Sequence, residues 1–160
     1  MKYFRPGLYL LLLATAAWRI VDISIAERKI VLLDNNNRAA KMNQPGMETT
    51  LSLKRTCLIT LVKTTHFNDG RGAKPGSLGL RDASGRLHGP WPARGEGEEG
   101  IRYLYWIAEP MVVLPPGEYT VVDSEPATWS HNAQSRHQGM TRIKGTLMDE
   151  PAAAAGDAKR

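Results

Sequence analysis

A chain of 160 residues with a formal charge of +5 suits one domain with extensions and can bury a core without metals or disulfides. Residues 1–26 carry Lys2, Arg5 and Arg19 against Asp22 and so hold +2 of that charge, while the remaining +3 is scattered rather than striped. That distribution lacks the basic footprint of a nucleic-acid-binding domain, so nucleic acid is excluded as a partner.

The N-terminus reads as a targeting segment. Lys2 and Arg5 form a positive region ahead of an apolar run from Leu8 to Trp18, which Arg19 breaks. The run is shorter than the roughly 20 residues of a spanning helix and fits a signal-peptide core. Ala14-Thr15-Ala16 and Ser24-Ile25-Ala26 both offer small-residue cleavage sites. The expectation is a signal peptide over 1–26, an exported domain over 27–148 and a disordered alanine-rich tail over 149–160. Periplasmic or secreted material follows. The alternative is an uncleaved segment that anchors the chain in the inner membrane, its only membrane contact.

After the signal the chain reads as strands. Lys29 to Asp34 is a short apolar strand that ends in the turn cluster Asp34-Asn35-Asn36-Asn37. Spaced acidic calcium ligands are missing there, so a plain turn is expected. Asn43 to Gly46 is a second turn. Met47, Thr49, Leu51 and Leu53 then alternate with polar residues as a half-buried strand does. Cys57 to Thr65 is a longer apolar strand, in which the lone cysteine is a small buried hydrophobe rather than a disulfide partner.

His66-Phe67-Asn68-Asp69-Gly70 opens a polar loop. Leu78 and Leu80 mark another strand, and Asp82-Ala83-Ser84-Gly85 turns it as a hairpin into Arg86 to Trp91. Pro92 to Gly100, glycine-rich and acidic, reads as a mobile loop. Tyr103, Tyr105 and Ile107 share one face of the next strand, with Leu104, Trp106 and Ala108 on the other. Met111 to Leu114 is short and apolar. Pro115-Pro116-Gly117 turns the chain into the β-forming run Tyr119 to Val122, which Asp123-Ser124 ends. Residues 133–139 read as a flexible polar loop, and Met140 to Leu147 as the closing strand. About eight strands joined by turns predict an all-β fold, an antiparallel β-sandwich of jelly-roll type.

His66-Phe67-Asn68-Asp69-Gly70, Gly76 to Asp82, Gly89-Pro90-Trp91, Leu114 to Asp123 and Trp129-Ser130-His131-Asn132 occur in one order. Together they resemble a group of small exported bacterial β-rich modules in which a Tyr-Thr-Val strand precedes Asp-Ser-x-Pro-x-Thr-Trp-Ser. The resemblance spans about Lys29 to Gly145 and implies export and a β fold, but no reaction. Arg136 and His137 stand where that group tends to carry a Gly-Gly pair.

Candidate ligand-binding residues are His66, Asn68, Asp69, Trp129, Ser130, His131 and Asn132, polar or aromatic groups at strand ends. Among the aromatics Trp129 is the best candidate for an exposed platform, because aromatic rings beside amides and carboxylates are how β-sandwich modules hold sugars. Trp106, in mid-strand, is the worst. Tryptophans more often fill the two ends of a small sandwich, and inward packing is the expectation for Trp129. His66, Asp123, Ser124, Ser130 and His131 contain the ingredients of a Ser-His-Asp triad, but no nucleophile elbow accompanies them. His66, His131 and His137 lack metal-ligand spacing, so no catalytic residue, metal or cofactor is assigned. The expected function is a non-catalytic exported binding module of the bacterial envelope, its partner a carbohydrate or an envelope protein. The alternatives are a structural or assembly component and, third, a metal-dependent or hydrolytic enzyme.

Overall fold

Twelve strands form among the described residues: β1 (Lys29–Asp34), β2 (Met42–Asn43), β3 (Thr50–Leu53), β4 (Cys57–Thr65), β5 (Ser77–Asp82), β6 (Leu87–Pro92), β7 (Arg94–Glu98), β8 (Ile101–Ala108), β9 (Val112–Leu114), β10 (Gly117–Asp123), β11 (Ser130–His131) and β12 (Thr141–Leu147). The structure, a computed structural model, describes residues 29–148. The expected signal segment and the alanine-rich tail lie outside the described residues. Between the strands stand two 3₁₀ turns, Asn68–Gly70 and Pro126–Thr128. Among the described residues no helix is long and apolar enough to cross a membrane.

The strands make an antiparallel β-sandwich. One sheet has the order β1-β12-β4-β8-β7, with β9 continuing along the same edge of β4 as β8. The other runs β3-β10-β5-β6, and β11 with β2 forms a separate ribbon. The reason for two layers is the period-two pattern of the strands. Leu51, Leu53, Leu78, Leu80, Tyr119 and Val121 of the four-stranded sheet meet Cys57, Ile59, Val62, Trp106, Leu114 and Ile143 of the larger sheet in one core. Alternation puts these side chains on one face of each sheet, and burying both faces together removes them from water. Cys57 is fully buried, and burial pushes its thiol pKa up.

Two expectations change. Pro92 to Gly100 is not a loop: Arg94–Glu98 is the strand β7, paired with β8. All five of its residues are exposed, so no apolar period marked it. Glu99 and Gly100, at φ 53° and 82°, close the hairpin in the left-handed conformation that a two-residue turn requires. Residues 133–139 are likewise held. Asn132 O accepts the His137 N–H at 2.9 Å, Ser135 O accepts the Gln138 N–H at 3.0 Å, and Ser135 is buried.

The β5–β6 hairpin is organised by Asp82. Its Oδ1 accepts the Ser84 hydroxyl at 2.6 Å and the Ser84 and Arg86 amides at 2.9 and 3.1 Å. Its Oδ2 lies 3.1 Å from His88 Nε2. The Ser84 hydroxyl, the His88 ring and the two amides lower the carboxyl pKa from 3.8 to about 2, outweighing desolvation. A lowered folded pKa stabilises the fold above the unfolded value and loses that stabilisation as pH falls through the folded one. Carboxyl-carbon NMR should therefore show Asp82 titrating near 2; a midpoint at the ordinary aspartate value would contradict these bonds.

Candidate functional site

The segments that carry the seven residues singled out in the sequence lie side by side, with His66, Trp129, Ser130, His131 and Asn132 buried and Asp69 exposed. The segment Trp129 to Asn132 runs beside β2 through β11, where Ser130 pairs with Asn43 and His131 with Met42. Asn43 Nδ2 in turn reaches Asp69 Oδ2 at 3.4 Å, tying the Asn68–Gly70 turn to the ribbon. Ser130 Oγ accepts the Phe67 N–H at 2.8 Å. Asn132 donates to Asn37 Oδ1 at 2.7 Å and accepts the Ser135 amide at 2.9 Å. Asn68 donates to Gly72 O at 2.8 Å, and Asp69 pairs with Arg71 on the surface. Both Asn68 and Asp69 have positive φ, as a tight polar turn tolerates.

Trp129 is not an exposed platform. It is 6% exposed, and its indole N–H donates to Met140 O at 3.1 Å. The ring lies flat over Gly139, where a Cβ would come within 2.0 Å of the indole. Only glycine leaves room there, which accounts for Gly139-Met140 following the loop. The indole closes one end of the sandwich core.

His66 has no exposure at all. Its Nε2 lies 3.1 Å from Asp123 Oδ2, and Thr64 Oγ1 donates to the same oxygen at 3.1 Å. A carboxylate oxygen only accepts, so Nε2–H is the donor. Nδ1 faces Thr128 Oγ1 at 2.9 Å, and the ring stacks on Trp106 with centroids 3.9 Å apart. Asp123 Oδ1 meanwhile accepts the Glu125 amide at 2.9 Å. The triad ingredients are thus divided: Ser130 serves Phe67, Ser124 Oγ accepts the Ser77 amide, and neither hydroxyl reaches His66. His66 also does not join His131 and His137. Among the described residues no group of three or more His, Cys, Asp and Glu side chains is placed to hold a metal ion.

The concave surface lies elsewhere, on the outer face of the six-stranded sheet. Alternation sends Val62 and Thr64 of β4 inward and places Lys63 and Thr65 on the other face, where Asn36 bonds and covers the buried Thr65. Register then places Arg142 opposite Lys63 and Tyr105 opposite Thr65. With Asn36, Asn37, Arg38 and Lys41 after β1, and Glu98-Glu99 at the β7–β8 turn, they line a cleft of about 600 Å³.

Its electrostatics follow from the register. Lys63 and Arg142 are like charges facing each other, and Asp34 offsets them by accepting from Arg142 Nε at 2.8 Å. Partial burial would raise the Asp34 pKa, but the Arg142 and Asn36 hydrogen bonds outweigh it and hold the carboxyl below its ordinary value. Lys63 Nζ sits 3.4 Å above the centre of the Tyr105 ring, an attraction between ammonium and π-face. Desolvation lowers the Lys63 pKa despite nearby Glu96. Burial and the hydrogen bond donated to Glu98 push the Tyr105 hydroxyl up to about 12. The cleft therefore presents four cationic groups against two carboxylates, with amides and a hydroxyl between them.

No signal in the sequence marked this cleft, because its polar residues are scattered over four strands and the connecting segments, each reading as ordinary surface. Comparison with family models, with curated proteins and with solved structures returns no match for this chain.

Proposed function

We propose that this chain is a non-catalytic exported binding module of the bacterial envelope, and that it takes its ligand in the polar cleft on the outer face of the six-stranded sheet. The carrying observation is the cleft itself: about 600 Å³ lined by Asn36, Asn37, Lys63, Tyr105 and Arg142 among others, a size ordinary for a ligand site. Paired donors and acceptors suit the hydroxyls of a glycan. The excess of cations favours a glycan bearing carboxylates over a neutral one.

A glycan array of neutral and uronic-acid-bearing oligosaccharides, probed with the full chain, tests this. Retention of acidic glycans is expected, and Lys63→Ala should weaken the best of them at least about tenfold, some 1.4 kcal/mol. Retention that Lys63→Ala leaves unchanged would place the ligand outside the cleft.

One observation favours a second reading, a structural or assembly component. Trp129, Ser130, His131 and Asn132 are all buried, so the conspicuous loop serves the fold. A folded chain that retains no glycan at all would move that reading to the front.

A further inference from the structure

Of the four histidines, two face carboxylates: His66 meets Asp123 and His88 meets Asp82. His131 does not. Its Nε2 lies 3.1 Å from the Asn43 carbonyl oxygen. A carbonyl only accepts, so Nε2 carries the proton and Nδ1 is left as a lone pair. That Nδ1 has no hydrogen-bond partner among the described residues, although His131 is only 7% exposed. A buried acceptor without a donor is costly and calls for an explanation.

Its surroundings supply one. The His137 ring lies with its centre 5.6 Å from that of His131, tilted by 59°. With metal–nitrogen distances of about 2.0–2.1 Å, two imidazoles on one ion have ring centres about 5–6 Å apart. His137 is exposed and sits at φ 60° directly after Arg136 at φ 55°. A non-glycine residue held in that conformation is strained, and such strain gathers at functional positions. Across the β2–β11 ribbon, Met42 is the register partner of His131, so its thioether and the imidazole share one face. Met42 is 49% exposed, although it is a large apolar side chain.

We propose that His131 Nδ1 and the His137 imidazole, with the Met42 thioether, bind a copper ion. The Asn43 carbonyl fixes the His131 tautomer, as an outer partner does for metal-ligating histidines. Among divalent first-row ions copper binds nitrogen donors most tightly, and a thioether is a soft ligand that selects the reduced ion, Cu(I). Two imidazoles and a thioether fall short of the four-ligand set of a structural zinc site. The only thiol, Cys57, is fully buried in the core and does not compete. This site is independent of the glycan reading, since it uses none of the residues that line the cleft.

The test is anaerobic titration of the full chain with Cu(I) against a bicinchoninate competitor, with Cu(II) and Zn(II) titrated separately. One Cu(I) per chain is expected, held more tightly than Zn(II), and Cu(I) should raise the unfolding temperature. His137→Ala should weaken Cu(I) at least about tenfold and abolish the thermal shift. Met42→Leu should weaken Cu(I) while leaving Cu(II) unchanged. Both variants change exposed side chains, so circular dichroism should match the wild type. A wild-type chain that fails to compete for Cu(I), or a His137→Ala chain that keeps full affinity, overturns the site. Equal Cu(I) affinity in Met42→Leu overturns the thioether and with it the choice of ion.

Discussion

Trp129→Ala is expected to cost about 3–5 kcal/mol of stability, a large part of the 5–15 kcal/mol that holds an ordinary domain together. The indole is buried, its N–H donates to Met140 O, and the ring covers Gly139. Truncation opens a cavity at the end of the core and removes one of the two hydrogen bonds that Met140 O accepts, leaving the one from the Thr65 amide at 3.1 Å. Thermal unfolding of the variant against wild type measures it. Gly139→Ala approaches the same contact from the other side. Its methyl would stand 2.0–2.4 Å from the indole atoms, so either the ring or the backbone must move. Both variants should therefore melt well below wild type. An unchanged melting curve for Trp129→Ala would show that the ring is not a core residue and would restore it as a ligand platform.

Removing His66 is the second large effect. The ring is fully buried between Asp123 and Trp106 and joins β4 to β10 and to the Pro126–Thr128 turn. His66→Ala leaves the Asp123 carboxyl buried without its imidazole donor, and breaking a buried pair from one side costs about 3–5 kcal/mol. Asp123→Ala removes the same bond and also the cap on the Glu125 amide, so it should cost at least as much. As a simple strand-end cap, Asp123 would be worth only about 1 kcal/mol. A double-mutant cycle separates the two descriptions. If the pair acts as a unit, the double variant loses clearly less than the sum of the single losses. Additivity within about 0.5 kcal/mol would mean that the two residues stabilise the fold independently.

Local chemistry made most of the strands legible. Cys57–Thr65 has the bounds that its apolar run suggests, and Lys29–Asp34 ends at the turn cluster Asp34-Asn35-Asn36-Asn37. The Leu51 and Leu53 alternation gave the burial of β3 directly. β7 escaped notice because an edge strand with both faces in water carries no hydrophobic period. β2 and β11, two residues each, are too short to have a period at all.

The candidate site divides along the same line. That Trp129 to Asn132 forms a distinct unit was visible from composition; whether it faces a ligand or the core was not. Exposure depends on what the rest of the chain lays over a residue, here Met140, Gly139, Asn43 and Asn37. The sequence by itself determined the strand period, the turns and therefore an all-β sandwich, since these follow from steric preferences between near neighbours. Only the tertiary structure decided that His66 meets Asp123, that Lys63, Arg142 and Tyr105 border one cleft, and that His131 lies beside His137 with Met42 across the ribbon. These pairs bridge long stretches of chain: strand register sets the Lys63–Arg142 and His131–Met42 pairings, and the packing of one sheet on the other sets that of His66 with Asp123.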